Sequence, residues 1–213
     1  LGLLLFNFQY YYSKMKKIIV TLLCITGIIM FSSQSTQAQG FGISAGGNFA
    51  HFNDVDGAAD SRTGLMAGIT YGFSVPMSPI TIRPGAFYTQ KGAQVTDGNI
   101  ESTTKLNYLE VPVVGKFDFI LDNPALTPHV YFGPYVGFLL NAEQEVSGGG
   151  SSGSTDISDE INNTDLGVVV GAGVDINRFK AGIRYSTGLT EVAKNDFLDG
   201  KNGAFSIVLG IKL

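Results

Sequence analysis

Nine ionisable side chains share a geometric property: Arg83, Lys91, Glu110, Lys116, Asp118, Asp175, Lys180, Arg184 and Lys212. Each stands in a stretch where apolar and polar residues alternate, and each falls on the polar side. Successive side chains of a β-strand point to opposite faces, so strands would gather these charges on one side of a sheet. Isolated buried charges are too costly to keep, and charges of opposite sign confined to a narrow interior pair with one another. The expected chemistry is therefore structural. An ion-pair network is assigned to Arg83, Glu110, Lys116, Asp118, Asp175, Lys180, Arg184 and Lys212, with Lys91 on the same face. The functional alternative is a narrow polar conduit or a small-ligand pocket.

No catalytic constellation accompanies these charges, and the protein is not expected to be an enzyme. His51 and His129 are the only histidines, and neither has a partner at metal-ligand spacing. His129 is expected to cap the inner face of its strand. No serine sits in a Gly-x-Ser-x-Gly elbow. The only cysteine, Cys24, lies in an apolar N-terminal stretch, so disulfides and thiolate sites are excluded from the rest of the chain. Asn53–Gly57 resembles the start of a calcium loop but lacks the distal bidentate glutamate. No catalytic, cofactor or metal site is assigned.

The elements that must position the charges are strands. The clearest is Lys105–Phe119, KLNYLEVPVVGKFDF. Leu109, Val111, Val113, Phe117 and Phe119 lie on one face, opposite Tyr108, Glu110, Pro112, Val114, Lys116 and Asp118. Seven further alternating segments are read at about 40–51, 64–75, 80–91, 127–142, 165–176, 178–189 and 203–213. Such lengths suit a tilted crossing of a bilayer better than the five or six residues usual in soluble sheets. Long connectors (52–63, 92–104, 143–164 and 190–202) alternate with short ones (76–79, 120–126 and Asn177). That alternation predicts an all-β fold, an eight-stranded antiparallel up-and-down transmembrane β-barrel with loops at one rim and tight turns at the other. Pro84, Pro112, Pro128 and Pro134 fall within strands and predict bulges or local breaks there. The Gly-Ser run 148–154 predicts a flexible loop.

The N-terminus reads as a targeting segment. Met15-Lys16-Lys17 opens it, Ile18–Phe31 is apolar, and Thr36-Gln37-Ala38 offers a cleavage site. Residues 1–14 are read as an upstream extension, 15–38 as a signal peptide cleaved after Ala38, and 39–213 as the barrel. Beyond the signal, 11 basic and 18 acidic residues give a formal charge of −7. This excludes a basic footprint for nucleic acid. Thirteen of the acids fall in the four long connectors, opposed only by Arg62, Lys194 and Lys201.

The signal peptide, the eight alternating strands, the motif Tyr108-Leu109-Glu110-Val111-Pro112 followed by Lys116, and the ending Gly210-Ile211-Lys212-Leu213 together resemble the PorT-like outer-membrane β-barrel family of Bacteroidetes-type Gram-negative bacteria. The resemblance covers essentially all of 39–213 and implies an outer-membrane location. The chain departs from many barrels in ending on Leu213 rather than on an aromatic residue.

The expected function is that of a small integral outer-membrane barrel with a structural or surface-interaction role and acidic external loops. Its expected partners are outer-membrane lipid and the barrel-assembly machinery. The alternatives are a narrow channel or small-ligand carrier, and a secreted lipocalin-like lipid-binding barrel with the apolar face turned inward.

Overall fold

A computed structural model describes residues 40–53, 60–98, 100–122, 125–148, 151–194 and 200–213. The extension, the signal peptide with its cleavage site, and Asp54–Gly57 lie outside them. The strands are β1 (Gly40–Asn53), β2 (Asp60–Ser74), β3 (Ile80–Asp97), β4 (Ile100–Asp118), β5 (Leu126–Gly148), β6 (Ser151–Asp156), β7 (Thr164–Ile176), β8 (Phe179–Glu191) and β9 (Lys201–Lys212).

All but β6 form a closed antiparallel ring, β1-β2-β3-β4-β5-β7-β8-β9. Closure comes from β1 against β9, in register from Gly42↔Lys212 to Asn53↔Lys201. The alternation of the sequence becomes an inside and an outside. Along β4, Tyr108, Glu110, Val114 and Lys116 are buried, while Leu109, Val113 and Phe117 are exposed. Leu65, Phe132, Phe179, Ile183 and Leu209 continue the apolar outer belt around the ring. Such a belt around a polar interior is the pattern of a barrel standing in lipid. It is the reverse of the lipocalin arrangement. Near the turn rim the belt carries edge-to-face aromatic pairs, Phe41 with Tyr71, Tyr71 with Phe73, and Phe117 with Phe119, the composition of an interfacial girdle.

Inside, large side chains of β5 lie over glycines of β7. Tyr131 pairs in register with Gly171, Tyr135 with Gly167 and His129 with Gly173. A Cβ at Gly167 would stand 2.5 Å from the Tyr135 ring. These glycines are there for space, because a small barrel fills its interior by alternating large and small residues.

Two expectations are corrected. Residues 92–104 and 143–164 are not mainly loop. β3 and β4 run on to a two-residue connection between Asp97 and Ile100, where Gly98 has φ +59°. A glycine at the first turn position, where φ is positive, and the β-branched residues Val95, Thr96, Ile100, Thr103 and Thr104 explain the extension. β5 likewise continues to Gly148, which pairs with Ser151, so most of the Gly-Ser run is the edge strand β6. Beyond the loop rim β3, β4, β5 and β6 thus form a four-stranded fin.

The prolines, secondly, do not set the irregularities. Pairing keeps one register on both sides of Pro84, Pro112, Pro128 and Pro134. Proline removes a donor but leaves an extended backbone in step. Register shifts fall instead at Ser61/Met66, Asn107/Tyr108 and Thr187/Glu191. By parity with Tyr131 and Tyr135 Asn141 would point inward; the second shift turns it toward Asn107. Asn107 Nδ2 donates to its Oδ1 at 2.6 Å, and Ala142 is buried instead.

Candidate functional site

The lumen is the candidate site, and its charges divide into two groups. Toward the loop rim, β3 contributes Lys91, β4 Glu110, β7 Asp165 and β8 Arg184. All four are at most 6% exposed, so their charges must be compensated within the barrel. Lys91 Nζ lies 3.0 Å from Glu110 Oε2 and 3.3 Å from Asp165 Oδ2. Arg184 contacts the other Glu110 oxygen. Two cations and two carboxylates form one formally neutral unit, drawn from four strands.

Neutral donors complete it. Asp165 Oδ2 accepts from the Tyr135 hydroxyl at 3.1 Å and from Asn202 Nδ2 at 3.0 Å. Lys91 Nζ lies 4.4 Å from the Tyr135 ring centroid, and the Arg184 guanidinium stacks 5.1 Å from that of Phe87. Ser206 donates to Asn48 Oδ1 at 2.6 Å, and Asn48 Nδ2 donates to Thr89 at the same distance. These last bonds run from β9 through its neighbour β1 to β3, passing over β2 on the inner face.

An apolar layer covers this network at the loop rim. Leu106, Tyr108, Ala142, Ile157, Ile161 and Val192 form one buried cluster, with Phe52 and Leu139 packed against it. Ile157 and Ile161 come from the segment between β6 and β7. Backbone bonds hold that segment down: Ile157 N–H donates to Ala142 at 3.0 Å, and Asn162 N–H donates to Val192 at 2.8 Å.

The second group lies toward the turn rim. Lys116 Nζ lies 2.5 Å from Asp118 Oδ1 and 2.8 Å from Asp175 Oδ2. His129 Nδ1 is 3.5 Å from Asp175 Oδ1. Arg83 and Lys180 line a cavity in the same half, and Lys212 lines the mouth beside Asp118 and Asp175. Asp118, His129 and Asp175 could each offer a metal one ligand atom, all within 4.8 Å of one another. Lys116 already sits between the two carboxylates, however, and a divalent ion would have to displace it among further cations.

The residues assigned from sequence thus separate. Glu110 and Arg184 join the upper unit. Lys116, Asp118 and Asp175 form the lower one, and Arg83, Lys180 and Lys212 surround it. Sequence reasoning missed Asp165, although it shares the parity of Asp175 along β7. It missed Asn202, one residue before the strand assigned there. It also missed the lid, whose signal was Ile157 and Ile161 in a polar connector.

Solved structures resemble the chain. Neisserial surface protein A is 20% identical over 82% of this chain and 97% of that one, with a TM-score of 0.47. The attachment invasion locus protein Ail of Yersinia pestis, solved with a heparin analogue, is 16% identical over 83% and 100%, with a TM-score of 0.42. The outer membrane enzyme PagL is 13% identical over 81% and 99%, with a TM-score of 0.48. No curated protein sequence matches the chain. The outer membrane protein beta-barrel domain matches residues 32–194, well over half of the sequence. The chain therefore belongs to the outer membrane protein beta-barrel domain family.

Proposed function

We propose that this protein is a closed, non-enzymatic outer-membrane barrel that holds an acidic fin and loops at the cell surface for contact with other molecules. One observation carries the reading: the Lys91–Glu110–Arg184–Asp165 unit and the Ile157/Ile161 lid fill the lumen at the loop rim. An eight-stranded barrel leaves little more room than its side chains take, so a filled rim argues against a conduit. What remains available is the outer surface. All six residues of β6 are exposed, and the fin carries Glu101, Glu143, Glu145 and Asp156. Hydrogen bonds from Ser158 hold the Asp156 carboxyl below its ordinary range.

The finer assignments belong to the same proposal. Tyr108–Pro112 supports a PorT-like affiliation, 15–38 acts as a signal peptide, and lipid and the barrel-assembly machinery are the obligatory partners. The short turns face the periplasm and the fin faces outward. Planar-bilayer recording tests the closed barrel: the purified protein should give no reproducible unitary currents. Steady single-channel openings would replace this reading with the channel alternative.

A further inference from the structure

β6 is the outer strand of the fin and pairs on one side alone, with β5. Among the described residues, no strand lies against its other side. A strand in that place presents a row of N–H and C=O groups to its surroundings, and proteins usually blunt such an edge with lysine, proline or a bulge. β6 carries none of the three. Its sequence, SSGSTD, holds neither lysine nor proline, and its pairing with β5 runs from Glu143↔Asp156 to Gly148↔Ser151 without a register shift. All six of its residues are exposed. The two faces of the fin beside it differ. Register puts Glu101, Lys105, Glu143, Glu145 and Asp156, the charges of these stretches of β4, β5 and β6, on one face. Lys105 is paired with Glu145, so that face stays acidic. On the opposite, uncharged face Gly153 stands beside Val146. Val146 and Ile100 are exposed there and line a shallow hollow with Gly153. A Cβ at Gly153 would meet nothing within 4 Å. The edge row thus has a gap over an apolar floor.

We propose that the free edge of β6 takes up an extended peptide as a further strand, one whose residues alternate between basic and apolar. Main-chain hydrogen bonds to β6 supply the attachment, and the alternation supplies the choice of partner. On one face the small side chains of Ser152 and Ser154 leave a lysine or arginine of the incoming strand clear to reach toward Glu143 and Glu145. On the other, an apolar side chain lies across Gly153 onto Val146. A second copy of the chain is the poorer occupant, since its own β6 brings neither a cation nor a large apolar residue. The inference rests on the reading of the fin as a contact surface, and it adds the mode of contact and the chemistry of the partner.

Fluorescence anisotropy of a labelled peptide of alternating lysine and valine, titrated with the detergent-folded protein at low ionic strength, tests this. Saturable binding is expected. It should weaken about tenfold or more in Ser154→Lys, which sets a cation on the acidic side of the edge, and stay unchanged in Arg178→Gln in the exposed turn between β7 and β8. Two altered peptides test the same point without changing the protein. One has its lysines and valines in separate blocks, and the other is N-methylated along its backbone; each should bind about tenfold more weakly or worse. Absence of saturable binding of the alternating peptide overturns the proposal. So does equal binding of either altered peptide, or undiminished binding by Ser154→Lys. Dimers of the unaltered protein in sedimentation, dispersed by Ser154→Lys, would give the edge to a second copy and overturn it as well. None of these outcomes bears on the closed barrel, which bilayer recording tests by itself.

Discussion

Glu110 is the residue on which the upper lumen converges, since each of its oxygens meets a different buried cation. Removing one partner of a buried pair strands the others, at a cost of about 3–5 kcal/mol. Glu110→Ala should therefore lower the urea midpoint of the folded band on unheated gels by an amount of that order, and an unchanged midpoint would remove Glu110 from the network. Asp165→Asn tests the same unit from the opposite wall. It keeps an acceptor for Asn202 but leaves Lys91 with Glu110 alone, so it should destabilise less than Glu110→Ala does in the same assay. At the turn end, Lys116 already bridges Asp118 and Asp175. Zinc at micromolar concentration should therefore leave the thermal transition where it was, and a shift of several degrees would mean that Asp118, His129 and Asp175 act as ligands after all.

Among the elements, β5 and β7 form the pair in which packing decides most. Gly171 lies under Tyr131, so Gly171→Val must push that ring into the lumen. Overpacking of this kind costs about 1–3 kcal/mol, which the same unfolding assay reads. The fin has the opposite character. Glu143 pairs with Asp156 at its base, and replacing 144–155 by a two-glycine turn should leave a heat-modifiable barrel. The strands of the ring were legible in the sequence because lipid on one side and charge on the other force a strict period of two. Glu110, Lys116 and Arg184 were legible for the same reason. The fin was not, since both of its faces meet water and no alternation marks it. The bulge at Asn107/Tyr108 was equally hidden, because one extra residue reverses parity without changing composition, and Asn141 departs from the parity of Tyr131 and Tyr135 on that account. Which cation meets which carboxylate depends on the stagger of strands around the ring, which local pattern does not encode.

At the scale of the whole molecule, the barrel inverts the usual arrangement, with charges inside and the apolar belt outside, facing lipid. The barrel region contains no cysteine, so single cysteines can be introduced along β4 without removing any. Labelled with an environment-sensitive fluorophore in lipid vesicles, positions 109, 111, 113 and 117 should be quenched by a lipid-phase quencher. Positions 110, 112, 114 and 116 should be shielded from it. A period of two across these eight sites is expected. Uniform quenching by an aqueous agent, or lipid quenching at the even positions, would contradict it.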